Sequence, residues 1–269
     1  MMYHLDLDEK KTKGARFALL PGDPFRSVLI AETIAQTCGT AKPDRPLAHK
    51  REFCTYLTEI QGVKVLVTST GIGGPSTSIA VDELAQLGVH TFLRVGTTGA
   101  IQDALSIGDV VITSGSVRLD GASPQYAPIE YPAVAHHEVL LALVDAAKVL
   151  TPALGCRYHV GITCSTDTFY QGQERADSFS RYTPRKFQGM TEEWRRLHVL
   201  NYEMESATLL TVCHAFGLRG GCVTGVVNNR ATDAGGVRIT PESLRVGQDH
   251  AVRVGIKAME LLVQADRSV

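Results

Sequence analysis

Short runs of Val, Ile and Leu, each closed by Gly, Ser, Thr or Asn, recur along the chain: RFALLPG (16–22), VKVLVTST (63–70), FLRVGTTG (92–99), DVVITSG (109–115), HVGITCS (159–165) and GCVTGVVNN (221–229). Runs this short and β-branched, bounded by turn residues, predict buried strands. Between them lie stretches with helical periodicity. PSTSIAVDELAQLG (75–88) is the clearest, with Pro75 suited to a first turn and Gly88 to the position just past the end. EVLLALVDAAKVL (138–150), EMESATLLTVCHAFGL (203–218) and SLRVGQDHAVRVGIKAMELLVQA (243–265) are the others. Strands alternating with helices predict an α/β fold around a largely parallel sheet, with ligands at the carboxyl ends of its strands. No repeat, low-complexity tract or linker interrupts the pattern, so residues 1–269 read as a single domain.

With 44% hydrophobic residues, the chain can bury a sizeable core. A net charge of −1 leaves no electrostatic footprint for nucleic acid, and no basic cluster is long enough to favour an anionic membrane surface. A small-molecule partner is the expectation. The six cysteines, Cys38, Cys54, Cys156, Cys164, Cys213 and Cys222, form no C-x-x-C pair and lie mostly in apolar segments, which predicts reduced core residues. The polar start MMYHLDLDEKKTKG does not resemble a signal peptide. No run approaches the ~20 apolar residues that span a bilayer, so a cytoplasmic location is expected.

Three glycine-rich segments, LPGDPFR, TSTGIGGPSTS and RVGTTGA, follow predicted strands, where backbone N–H groups and a helix start can receive an anion. Phosphate is the natural candidate. None is a P-loop, and Ser76 stands where the dinucleotide fingerprint has its last glycine, which argues against ATP and NAD. Arg26 ends one such loop. Arg94 sits inside an apolar strand, where an unpaired guanidinium is costly, so it needs either a structural carboxylate or a bound oxyanion. Arginines on two strand-end loops, with Thr97 and Thr98 beside the second, favour the oxyanion.

Adjacent His136 and His137 share no helical face, and no H-E-x-x-H occurs, so no catalytic metal is expected. No G-x-S-x-G elbow or triad spacing nominates a covalent nucleophile. Residues 166–200 break the strand–helix rhythm with a polar, aromatic and basic stretch, of the kind that carries function. NYEMES (201–206) places Glu203 and Glu205 ahead of an apolar run. Alone, that pair reads as a solvated helix start.

Together GDPFR, STGIGGPSTSIAVDELAQLG, RVGTTGAI, VRLDGAS, DTFYQGQER and NYEMESATLLT resemble the nucleoside phosphorylase family, in its bacterial uridine-cleaving branch, from about His4 to residue 230. The resemblance implies an α/β fold whose mixed central sheet forms a distorted barrel flanked by helices. It implies reversible phosphorolysis of uridine to uracil and ribose 1-phosphate in pyrimidine salvage, in a hexamer built as a trimer of dimers. No cofactor is implied, only inorganic phosphate as co-substrate. By resemblance Gly22, Arg26, Arg94 and Thr97 hold phosphate, joined by Arg51 from a neighbouring subunit, while His4 reaches across to the ribose 5′-hydroxyl. Gln173 and Arg175 meet the uracil edge, with Thr98, Gly99 and Phe169 shaping the base pocket and Arg230 reaching the base through water. Glu205 accepts from the ribose 2′- and 3′-hydroxyls, Met204 packs on the sugar, and Glu203 supports the base side. Arg94, Arg26, Arg175, Gln173 and Glu205 are thus the implied catalytic set. A structural potassium ion is implied at Glu52, Ile72 and Ser76.

The chain departs from the family pattern in places. Gln171 replaces a frequent proline, which predicts a looser loop around Gln173. Asn228 replaces an apolar residue near the uracil 5-position, which predicts altered tolerance of thymine-like bases. Residues 231–242 do not match the family's flap over the site. The alternatives are a broader-specificity or purine nucleoside phosphorylase on the same fold, or a non-catalytic nucleoside-binding protein.

Overall fold

The computed structural model describes residues 1–231 and 239–267. In chain order the strands are β1 Phe17–Leu20, β2 Ala48–Lys50, β3 Phe53–Ile60, β4 Val63–Thr68, β5 Thr91–Ala100, β6 Val110–Leu119, β7 Ala133–Val134, β8 Tyr158–Thr166, β9 Asn201–Glu203 and β10 Arg219–Asn229. The helices are α1 Glu9–Thr12, α2 Pro24–Cys38, α3 Gly74–Gln86, α4 His137–Leu154, α5 Met190–Arg196, α6 Ser206–Ala215 and α7 Pro241–Arg267. The predicted strands correspond to β1, β4, β5, β6, β8 and β10, and the predicted helices to α3, α4, α6 and α7.

All ten strands share one sheet. β5 pairs with β10, β10 with β6, β6 with β8, β8 with β9, and β9 again with β5, which closes a five-stranded barrel. From β5 the sheet continues through β1, β4 and β3 to β2. This is the mixed α/β barrel that the resemblance implied. It corrects the expectation of a largely parallel sheet, because the pairs β2–β3, β3–β4, β5–β9, β6–β7 and β6–β10 are antiparallel. The hairpin β2–β3 that joins β4 was hidden by its sequence, AHKREFCTYLTEIQG, where polar residues alternate with apolar ones instead of forming a run. Its turns are two-residue hairpin loops, each led by a residue in the left-handed region, Arg51 (φ 56°) and Gln61 (φ 50°).

Core packing follows strand alternation. In β1, Phe17 and Leu19 face one layer, with Ile30 and Ile34 of α2, Leu143 of α4 and Met259 of α7. Ala18 and Leu20 face the opposite layer, with Val81 and Leu84 of α3 and Leu209 and Leu210 of α6. Each fully buried Leu or Ile contributes roughly 1.5–3 kcal/mol of transfer free energy. The α7 helix lies so close to the barrel that a Cβ at Gly225 would fall 1.8 Å from the Gly247 carbonyl oxygen, so bulk at that position would displace the helix. All six cysteines are free, and Cys54, Cys164, Cys213 and Cys222 are buried. Among the described residues no helix is long and apolar enough to cross a membrane.

Candidate active site

The parallel strands β1, β4, β5 and β10 all end at one cavity of about 750 Å³. Gly22 and Arg26 enter after β1, Gly71 and Ile72 after β4, Thr97 to Gly99 late in β5, and Val227 and Asn228 late in β10. The loop after β8 adds Phe169, Gln173 and Arg175, and the β9–α6 connection adds Tyr202 to Glu205. Strand ends gather there because a parallel sheet leaves its last backbone groups and the following helix starts on one side.

Local sequence sets each piece. GDPFR is a helix start: Asp23 caps α2 by accepting from Phe25 N at 2.9 Å, and Pro24 occupies the first turn. That helix escaped the sequence reading, which treated the segment only as a loop. Gly71 N donates to the Gly22 carbonyl at 2.9 Å, tying two of the glycine loops together. Gly73, at φ 95°, caps α3 in a conformation that disfavours side chains, and its N–H donates to Glu205 Oε1 at 2.6 Å.

At the centre lies a buried ion cluster. Arg94 Nε donates to Glu203 Oε2 at 2.9 Å, and Arg94 Nη2 pairs closely with Glu205 Oε2. Glu203 also accepts from Glu205 N at 2.9 Å and from the Ser206 N–H and hydroxyl, the latter at 2.6 Å. Burial opposes the charge on Arg94, but Glu205 and Glu203 outweigh it and hold its pKa above the ordinary arginine value. Burial pushes Glu205 above the usual carboxylate range against the pull of Arg94, with Glu203 adding to the rise. The expected helix start at residue 203 is therefore corrected. Glu203 ends β9, and the helix begins at Ser206, whose N–H is satisfied by the Glu203 carboxylate.

Arg26 approaches this cluster from α2 and is 7% exposed. Burial, reinforced by the neighbouring Arg94 charge, lowers its pKa to about 10. Its Nε has no acceptor among the described residues. At the other end, Arg175 Cζ stacks 3.8 Å from the Phe169 ring centroid. Burial, with Arg230 nearby, lowers its pKa to about 10, and its Nε also lacks an acceptor among the described residues. Gln173 is buried beside it. The loop carrying this pair is closed by Thr168 Oγ1 accepting from Gly172 N at 2.7 Å and by Glu174, whose carboxylate accepts from Thr191 N at 2.9 Å.

Gly22, Arg26, Arg94, Thr97, Thr98, Gly99, Phe169, Gln173, Arg175, Glu203, Met204 and Glu205 therefore converge on one cavity, while His4, Arg51 and Arg230 do not line it. His4 is held by Glu83, which accepts from its N–H at 3.0 Å and its Nδ1 at 2.6 Å. Arg51 occupies the exposed tip of the β2–β3 turn. Arg230 donates to the Glu174 carbonyl at 3.1 Å. Tyr202, Val227 and Ile239 line the cavity without having been singled out; apolar and aromatic walls carry no chemical motif, and only its place inside NYEMES pointed to Tyr202. Glu52, Ile72 and Ser76 lie at the cavity mouth, with Glu52 and Ser76 side chains crowding Gly71. That is an oxygen donor set compatible with a hard cation. Of the 231–242 flap, residues 232–238 lie outside the described residues.

A sequence profile of the phosphorylase superfamily matches residues 16–261. The chain belongs to the phosphorylase superfamily. Within it, the chain is 50% identical over 264 residues to the uridine phosphorylase of Escherichia coli (strain K12), covering 97% of this chain and 98% of that one. It is 44% identical to the uridine phosphorylase of Thermococcus kodakarensis, over 99% of this chain and 88% of that one. It is 32% identical to the guanosine phosphorylase of Halorubrum lacusprofundi, over 91% and 93%. In this phosphorylase superfamily member one cavity is lined both by the Arg26, Arg94, Glu203 and Glu205 cluster and by Gln173 and Arg175.

Asn228 gives this superfamily site its own character. The β5–β10 ladder slips between Val226 and Asn228, leaving Val227 as the extra residue. The Asn228 amide lies against Gly99, its Oδ1 2.9 Å from where a Cβ would stand, so the glycine leaves room for it. Asn228→Val is expected to raise the use of 5-methyluridine relative to uridine by roughly tenfold, the scale of one methyl group's discrimination in a pocket. Comparing kcat/KM for the two nucleosides checks this, and an unchanged ratio removes Asn228 from base selection.

Proposed function

We propose that the protein catalyses the reversible phosphorolysis of uridine, giving uracil and ribose 1-phosphate. The observation that carries this reading is that two arginines lining one cavity, Arg26 and Arg175, each hold a buried Nε without an acceptor among the described residues. Buried donors of this kind mark places where a ligand supplies the missing acceptor. Phosphate suits the first, held by Arg26, Arg94, Thr97 and the Gly22 loop. A uracil carbonyl suits the second, while the Gln173 amide both accepts from a ring N–H and donates to a carbonyl.

In this arrangement phosphate attacks C1′ on the face opposite the base, and the ribose between them develops oxocarbenium character. Holding both partners converts a bimolecular attack into a near-intramolecular one. Gln173 and Arg175 stabilise the charge that grows on the departing uracil. The curated relatives, uridine phosphorylases at 50% and 44% identity across nearly the whole chain, support uridine over a purine nucleoside. The end of β10 agrees, reading NNR with no carboxylate to protonate a purine ring nitrogen. No cofactor enters this chemistry. His4 and Arg51, outside their own cavity, complete that of a second copy in a dimer, with a trimer of dimers as the full assembly and the cytoplasm as its place.

The test is uridine absorbance with and without inorganic phosphate, extended to 2′-deoxyuridine, thymidine, inosine and guanosine. Phosphate-dependent loss of uridine is expected; a signal indifferent to phosphate refutes the reading. Gln173→Ala should lower kcat/KM for uridine by roughly 10²-fold, from lost amide bonds, while phosphate KM stays within about twofold, because the amide is assigned to the base and not to the phosphate.

A further inference from the structure

The barrel interior next to the Arg94–Glu203–Glu205 cluster is not apolar. Four strands each place one buried polar side chain there: Thr98 from β5, Thr113 from β6, Thr163 from β8 and Asn201 from β9. One chain of hydrogen bonds joins them. The Thr113 and Thr163 hydroxyls are 2.8 Å apart, Thr163 Oγ1 donates to Asn201 Oδ1 at 2.9 Å, and Asn201 Nδ2 donates to Thr98 Oγ1 at 2.6 Å. Thr98 Oγ1 in turn donates to the Tyr202 carbonyl at 2.6 Å. Because the Thr163 proton goes to Asn201, Thr113 must be the donor in the first link. The chain therefore runs in one direction and ends on the backbone of β9.

Valine in place of these threonines would fill the same space. Each buried hydrogen bond adds only ~1 kcal/mol net, so the polar chain is better explained by geometry than by stability. β9 is the element that needs geometric help. It has three residues, paired with β5 at Tyr202 and Asn201 and with β8 at Asn201, Tyr202 and Glu203. β5, which carries Arg94, is held by a ten-pair ladder to β10 and a four-pair ladder to β1. The backbone of β1, α2 and β5 is thus held without the clamp, which reaches Arg94 only through its ion pairs with Glu203 and Glu205, whereas Tyr202, Met204 and Glu205 hang on β9 directly.

We infer that Asn201 is a positioning residue for the nucleoside half of the site: its amide bridges β8 to β5 and so fixes the height of β9 and of the residues that follow it. This rests on the nucleoside phosphorolysis proposed above. The assignment uses both ends of the amide, Oδ1 toward Thr163 and Nδ2 toward Thr98, so removing either partner frees the clamp.

The experiment measures KM for uridine and for phosphate, with melting temperature, in Asn201→Ala, Thr163→Val, Thr163→Ser and the double variant Asn201→Ala/Thr163→Val. Asn201→Ala and Thr163→Val are expected to raise uridine KM roughly tenfold, on the scale of one lost buried hydrogen bond, with phosphate KM within about twofold. Thr163→Ser keeps the hydroxyl and should behave as the unmodified protein. The double variant should be no worse than Asn201→Ala, since both act through one chain. Equal rises in both KM values, unchanged KM values with only a lower melting temperature, or an additive double variant would overturn the inference. The isosteric Thr163 pair decides the matter even if Asn201→Ala does not fold. If the unmodified protein turns over no uridine, the proposed function fails separately, and the same comparison is read by calorimetric titration of whichever nucleoside of the panel binds.

Discussion

Arg94→Ala is expected to cut kcat/KM for phosphate by roughly 10³-fold, the scale on which removal of a preorganised charge-stabilising donor acts. Two losses combine. The proposed phosphate site loses a buried cation whose Nε and Nη2 are held by Glu203 and Glu205. Those two carboxylates then remain buried with no guanidinium between them, a change that costs about 3–5 kcal/mol of stability in comparable buried pairs. The stability loss has a pH signature. Glu205 sits above its ordinary pKa even with Arg94 present, so the folded state holds its proton more tightly than the unfolded chain does. Without Arg94 that difference widens. Stability must therefore fall as pH rises through the window from the ordinary carboxylate value up to the raised folded one, and recover below it. Urea unfolding of Arg94→Ala from pH 4 to 8 should show that recovery on acidification. A flat profile would mean that the carboxylates are solvated once the arginine is gone.

Glu205→Ala should reshape sugar selection. Its Oε1 accepts from Gly73 N and its Oε2 pairs with Arg94, so the carboxylate is held rigid between the α3 start and the anion cluster. Hydrogen bonds to a charged acceptor are worth about 1.5–3 kcal/mol, and the proposed acceptance from two ribose hydroxyls places the loss on the sugar. Uridine kcat/KM should fall roughly 10²-fold, and 2′-deoxyuridine distinctly less, since it lacks one of the two donors. Glu205→Gln keeps an oxygen for Gly73 and separates loop loosening from lost charge. Equal losses on both nucleosides would assign Glu205 to holding Arg94 and Gly73 rather than to touching the ribose.

The sequence made the strand ends legible because parallel strands in a closed sheet are near-continuous apolar runs, and glycine at their ends marks where backbone must approach a ligand. It made Arg94 legible because a guanidinium inside FLRVG cannot stay unpaired. It favoured a bound oxyanion over a structural carboxylate as the partner of Arg94, whereas the structure pairs it with Glu203 and Glu205, 109 and 111 residues away, which nothing local announces. The hairpin β2–β3 and the helix after Asp23 were missed for the opposite reason: the first alternates polar with apolar residues, and the second starts inside a segment that reads as a glycine loop. Asn201 was invisible because its role exists only across four strands that meet in the barrel.

That barrel also dictates when the site can come into being during synthesis. β5 finds its permanent neighbours β9 and β10 only after more than a hundred further residues have been made. Until β9 docks, Arg94 has no carboxylate and must keep its water. Late, non-local closure of this kind is slow, and before it Glu203 and Glu205 cannot hold the Arg94 guanidinium. The barrel therefore closes in the same event that gives Arg94 its carboxylates.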